Sequence, residues 1–190
     1  LVAKGFAQKP GVDFEETFAP VTKLSSIRLL LGLAAEEDLK IDQMDVSTAF
    51  LNGEIKEKVF MEIPDNLEKY LHNIMIEESC NEDKNLFFKA KKMLEDLKES
   101  QDKNVCLLNK AIYGLKQSGR QWYMKLDTKL KELKFTPSFA DPCVYISDSG
   151  GEKIIIAVYV DDLVIFYKDN KKANLIKSQL MKCFEMRDLG

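Results

Sequence analysis

Ile154-Ile155-Ile156-Ala157-Val158-Tyr159-Val160-Asp161-Asp162-Leu163-Val164-Ile165-Phe166-Tyr167 decides the fold class. Two apolar runs of strand length, rich in β-branched and aromatic residues, flank a pair of acids. The short break predicts an antiparallel hairpin with Asp161-Asp162 as its two-residue loop. Such loops favour Gly or Asn, because positive φ is costly for other residues. Two adjacent carboxylates also repel, and a divalent cation would relieve the repulsion. Taken alone, an acid pair in a hairpin is more often an ordinary polar turn than a catalytic site. Upstream, Cys143–Ile146 reads as a third strand, joined to the first of these runs through Asp148-Ser149-Gly150-Gly151.

Working outward, Ile41–Val46 alternates like a strand with one buried face. It carries Asp42 and Asp45, three residues apart and therefore on opposite faces. Asp45 reads either as an acid leaving a strand or as a helix N-cap. A helix capped by Ser25 or Ser26 precedes it and runs to about Leu39. Lys58–Ile63 is a strand ending at Pro64, and Val105–Leu108 is another. Trp122, Leu126, Leu130 and Leu133 mark a helix that follows the Tyr113–Gln117 loop. On that stripe Trp122 is a core residue rather than a stacking platform. A last helix spans about Lys171–Phe184, with Leu175, Ile176, Gln179, Leu180 and Phe184 on its face. Mixed helices and hairpins favour an α+β fold with an antiparallel sheet.

Residues 65–104 stand apart. They hold ten acidic and seven basic side chains, the whole net excess of a chain whose net charge is −3. One amphipathic helix lies inside, with Leu86, Phe87, Ala90, Met93, Leu94 and Leu97 on its stripe. The segment reads as a surface insertion. An acidic total argues mildly against nucleic-acid binding, but a neutral remainder leaves room for a local basic cleft. No apolar run approaches the roughly 20 residues of a membrane span, so no membrane partner is expected. Cys80, Cys106, Cys143 and Cys183 are scattered and His72 is the single histidine, which argues against zinc.

Eight motifs in order carry a family resemblance. They are Leu1–Gln8, Phe14–Val21, Gln43–Gly53, Ala111–Gln117, Arg120–Tyr123, Asp141–Tyr145, Tyr159–Asp162 and Phe184–Gly190. Together they make the chain resemble the reverse transcriptase of copia-type LTR retrotransposon polyproteins over nearly its whole length, the 65–104 segment excepted. The resemblance implies a fingers-and-palm architecture with an antiparallel palm sheet flanked by helices, the thumb absent. It implies an RNA-directed DNA polymerase with Asp45, Asp161 and Asp162 as catalytic carboxylates. These would hold two Mg²⁺ ions (Mn²⁺ as a substitute), Asp45 and Asp161 as the main ligands and Asp162 as a further one. Phe50 matches the aromatic beneath the nucleotide sugar, and Gly114, Lys116 and Gln117 match the loop over the incoming base pair. Lys4, Lys9, Arg120 and Tyr159 are implied nucleic-acid contacts. Lys116 and Arg120 also read as simply solvated.

Implied partners are a primed RNA or DNA template, dNTPs, and the integrase and RNase H domains of the same polyprotein. The implied location is a cytoplasmic virus-like particle or the nucleus. The sequence departs from the family pattern in places. Ser118-Gly119 replaces the commoner Ala-Pro, the 65–104 segment is long and acidic, and the basic Lys-Ala-Arg lead expected before Leu1 is missing. The alternative reading is a non-enzymatic, host-adopted remnant that folds and binds nucleic acid or protein.

Overall fold

Alternation, apolar stripes and turn residues organise the chain into five helices and eight strands across residues 1–81, 83–99, 105–149 and 152–190, which a computed structural model describes. In chain order these are α1 (Leu24–Glu37), β1 (Lys40–Val46), β2 (Phe60–Glu62), α2 (Leu67–Glu77), α3 (Asn85–Glu99), β3 (Val105–Leu107), α4 (Ser118–Glu132), β4 (Thr136–Pro137), β5 (Val144–Ser149), β6 (Glu152–Tyr159), β7 (Asp162–Tyr167), α5 (Asn170–Met181) and β8 (Met186–Asp188). The expected Gly150-Gly151 connection lies outside the described residues, as do residues 100–104 of the expected insertion. Among the described residues no helix is long and apolar enough to cross a membrane.

The chain divides into two compact units. One comprises Val2–Glu57 and Asn109–Gly190, the other Lys58–Leu108 with Leu1. The first holds an antiparallel sheet in the order β4-β5-β6-β7-β1-β8, so β1 sits between strands from the far end of the sequence. Period-two alternation splits each strand between two cores. On one face Met44, Val46, Tyr145, Ile154, Ile156, Val158, Leu163 and Ile165 pack against Trp122, Leu126 and Leu130 of α4 and Ala173 and Leu180 of α5. On the other, Val144, Ile155, Ala157 and Phe166 pack against Leu30 and Ala34 of α1. Mixed helices around an antiparallel sheet make the unit α+β, as the sequence pattern indicates.

Several local expectations change. Helix α1 begins at Leu24, and neither Ser25 nor Ser26 caps it. The distant Asp141 carboxylate instead accepts from the Lys23 backbone N–H (2.9 Å) and the Ser26 hydroxyl (2.7 Å), while its other oxygen accepts from the Cys143 N–H. Burial raises the Asp141 pKa, but these bonds, from Ser26 first, outweigh it and hold the carboxyl below its ordinary value. Asp45 caps nothing: it lies inside β1. On α5 the buried residues are Ala173, Lys177 and Leu180, whereas Leu175 is exposed. Ile176, Leu180 and Phe184 of the expected face do pack on the core, and Lys177, between two carboxylates described below, joins them.

The second unit contains the β2–β3 pair and an α2·α3 helix pair. Helix α3 matches the amphipathic stripe in part. Ala90 and Leu94 are buried, but Leu86 and Met93 are exposed. Helix α2 was not expected; its Leu71 is buried, and Leu67, Ile74 and Met75 pack around the same small core.

Candidate active site

The acid pair sits one residue out of the expected register. Tyr159 pairs with Asp162, so the two-residue loop is Val160-Asp161 and Asp162 is the first residue of β7. Val160 has φ +57°, and Asp161 is not in the positive-φ region. Positive φ at the first loop position alone fits a type II′ hairpin turn. A β-branched residue there is strained, at a cost on the order of 1–3 kcal/mol. Surrounding structure holds the conformation. The Trp122 indole N–H donates to the Val160 carbonyl at 2.7 Å, and the Val46 backbone N–H donates to the Asp161 carbonyl at 2.9 Å. Trp122 is buried and meets Phe184 edge-on at 5.1 Å between ring centroids. It is a core residue, as its stripe suggests, and also a brace for the loop.

Pairing of β1 with β7 sets Asp45 opposite Asp162. Directly opposed like charges on one face repel. Asp162 is partly occupied: its Oδ1 accepts from the Gln43 side-chain amide at 2.9 Å. The charges of Asp45 and Asp161 both act on Tyr113. Burial first, then the negative charges of Asp161 and Asp45, raise the pKa of the Tyr113 hydroxyl. Among the described residues no Lys, Arg or His stands within ion-pair distance of these three acids.

Phe50 follows in the 3-10 turn Ala49–Asn52 and is half-buried. Its ring lies 4.3 Å from that of Tyr113, centroid to centroid. Tyr113 is the residue that the sequence reading left without a role. Its place in a loop motif gave no hint of partners more than 40 residues away in either direction.

The loop over this corner is fixed by the N-terminal segment. The Ala3 N–H donates to the Tyr113 carbonyl at 2.7 Å. Gly114 has φ +96°, and a Cβ there would fall 2.0 Å from the Ala3 carbonyl oxygen. Its need for glycine therefore arises from packing inside the protein. Gln117 is fully buried, and its side-chain amide is used at both ends: the oxygen accepts from Gln8 Nε2 (3.0 Å) and the nitrogen donates to the Asp13 carbonyl (2.9 Å). Gln117 thus tethers the loop. Lys116 is exposed, with its ammonium 5.2 Å from the Phe14 ring centroid. The Arg120 guanidinium donates to the Phe18 carbonyl at 3.1 Å and pairs with Glu16 at 2.5 Å. Lys4 and Tyr159 are exposed.

Hard oxygen donors suit Mg²⁺, which binds through one or two carboxylates and completes its shell with water and substrate phosphate. Among the described residues no group of three or more His, Cys, Asp or Glu side chains is placed to hold a metal ion. Asp45 and Asp161, neither in an ion pair among the described residues, supply two such carboxylates.

The profile of the family described as reverse transcriptase (RNA-dependent DNA polymerase) matches residues 1–88 and 70–190. A retrovirus-related Pol polyprotein from transposon TNT 1-94 of Nicotiana tabacum is 42% identical over the whole chain. Those of transposons RE2 and RE1 of Arabidopsis thaliana are 36% and 32% identical over 89% and 99% of it. The chain spans only 12%, 10% and 11% of these three relatives' lengths. No solved structure gives a significant match. The whole-chain match and the level of identity establish that the chain belongs to the reverse transcriptase family of transposon Pol polyproteins that its motifs resemble.

Proposed function

We propose that the sheet unit is the palm of an RNA-directed DNA polymerase and that Asp45 and Asp161 are its principal metal ligands. The observation that carries this reading is the backbone pairing that sets Asp45 opposite Asp162 and bonds the Val46 N–H to the Asp161 carbonyl, bringing the acids together on one side of the sheet. In the reaction the primer 3′ oxygen bonds to the α-phosphorus of a dNTP. The bond from that phosphorus to the bridging oxygen breaks, pyrophosphate leaves with the bond's electrons, and the hydroxyl proton passes to solvent. Two Mg²⁺ ions, or Mn²⁺, would supply a lowered hydroxyl pKa and countercharge for the attacking and leaving oxygens.

The chain's own residues supply position. The Trp122 and Val46 bonds fix the loop bearing Asp161, and β7 pairing fixes Asp45. Asp162, bonded to Gln43, orients the pair from outside the metal shell. Phe50, backed by Tyr113, presents a ring where a 2′-hydroxyl would collide. Gly114 and Gln117 shape the loop, and Lys116 at its surface faces phosphate. Tyr159 and Lys4 are the exposed candidates for primer and template contact. Arg120 acts mainly by holding the Glu16–Phe18 loop.

Primer extension on a primed RNA template with Mg²⁺ and dNTPs tests the proposal, in this chain and in a longer polyprotein segment containing it. Extension is expected, and Asp161→Asn should reduce its rate on the order of 1000-fold, or about 4 kcal/mol. Full activity in Asp161→Asn would overturn the assignment. No extension by the longer segment would favour the non-enzymatic alternative.

A further inference from the structure

Strand β8 places one more charge in the row of acids. Its register pairs Arg187 with Asp45, which pairs in turn with Asp162, itself opposite Tyr159. Cross-strand partners share a face, so Tyr159, Asp162, Asp45 and Arg187 form one line across four strands. Arg187 is exposed, and among the described residues it makes no ion pair within 4 Å. Its backbone, by contrast, is held on both sides. Met186 packs on the main core, and Asp188 is bound by the buried Lys177 ammonium at 2.8 Å. The Ser47 N–H donates to the Glu185 carbonyl, and the Leu189 N–H to that of Gln43, at 2.9 and 2.8 Å. The fold therefore holds the backbone of Arg187 cross-strand from Asp45, its guanidinium in no ion pair among the described residues.

We propose that Arg187 contacts the β- and γ-phosphates of the incoming nucleotide and the pyrophosphate it becomes. This rests on the polymerase reading of Asp45 and Asp161. In-line displacement puts the attacking and leaving oxygens on opposite sides of the α-phosphorus. Tyr159, an exposed ring suited to a nucleotide chain, stands at one end of the row, and Arg187 stands at the other. With the primer toward Tyr159, the leaving group falls toward Arg187. A planar guanidinium matches phosphate oxygens two at a time, which an ammonium does not.

Calorimetric binding of inorganic pyrophosphate and of dTTP to the whole chain in Mg²⁺ tests this. Arg187→Ala should weaken both by roughly 10- to 100-fold, the scale of a lost charge-assisted contact, and Arg187→Lys should recover part of the loss. Thermal unfolding should be unchanged in both variants. Unchanged pyrophosphate affinity in a folded Arg187→Ala protein overturns the inference alone. So does tighter Mg²⁺ binding with pyrophosphate unaffected, which would make Arg187 only a countercharge for Asp45. A wild-type chain that binds neither probe overturns the polymerase reading and this inference with it.

Discussion

Asp42 and Asp45 lie three residues apart on β1 and have opposite surroundings. Asp42 faces the α4–α5 side. There the Lys177 ammonium bridges Asp42 and Asp188, and the Tyr167 hydroxyl donates to Asp42 at 2.8 Å. Asp45 faces the other side, next to Asp162 and Asp161, with no such partner among the described residues. One strand thus carries a neutralised acid and an uncompensated one. The difference teaches how two faces of one strand come to carry opposite electrostatic surroundings. The satisfied network on one face fixes the register of β8 on β1, so the other face can hold like charges close together.

Breaking the satisfied side should have the larger effect on stability. Lys177 is buried, and burial lowers its pKa, but its bonds to Asp188 and Asp42 outweigh this and raise it. Lys177→Met removes the cation and leaves two carboxylates facing each other. Chemical denaturation should register a loss of about 3 kcal/mol. A loss below about 1 kcal/mol would mean that the network sets register without supporting stability.

Acid titration gives the next effect. Chiefly through its bond from Lys177, Asp188 has a pKa below the ordinary carboxylate value. A depressed folded pKa contributes stability that is present above the unfolded value of about 4 and is lost as pH falls through the folded value. Asp188→Asn should therefore flatten the decline of stability below about pH 4, as followed by thermal unfolding from pH 6 to pH 2. An unaltered acid limb would place the decisive proton elsewhere, Asp141 being the next candidate.

The smallest effect belongs to the open side. Asp45→Asn removes one of several mutually repelling charges and breaks no ion pair. Its stability should stay within about 0.5 kcal/mol of wild type or rise slightly. A loss comparable to that of Lys177→Met would show Asp45 to be a structural acid and would erase the contrast between the faces.

Much of this was legible in the sequence. The apolar runs of β6 and β7 and the Trp122 stripe of α4 give the sheet and its packing helix, because burial imposes a period. Strand alternation alone puts Asp42 and Asp45 on opposite faces. The loop register was not legible, since Val160 has the chemistry of a strand residue. The Trp122 and Val46 bonds hold that loop in place, with Val160 at positive φ. Lys177 could not be identified as buried, because a lysine reads as solvated until its two acids are placed. Strand β8 carries no apolar run and exists through its pairing with β1. Nor did the sequence separate Gln117 from a ligand, because its partners Gln8 and Asp13 lie over 100 residues upstream.

The position of β1 between β7 and β8 has a consequence for how the chain is made. The strand leaves the ribosome roughly 120 residues before either neighbour exists. At about 5–20 residues per second, that is a wait of roughly 6 to 24 seconds. During that interval α1 can form from local contacts, but Met44 and Val46 have no sheet to enter. Contacts this distant in sequence make for slow folding. A strand with both edges bare is also a template for pairing with a neighbouring chain. Where many copies of such a chain are synthesised close together, the edges of Ile41–Val46 stay open to a neighbour until β7 and β8 pair with them.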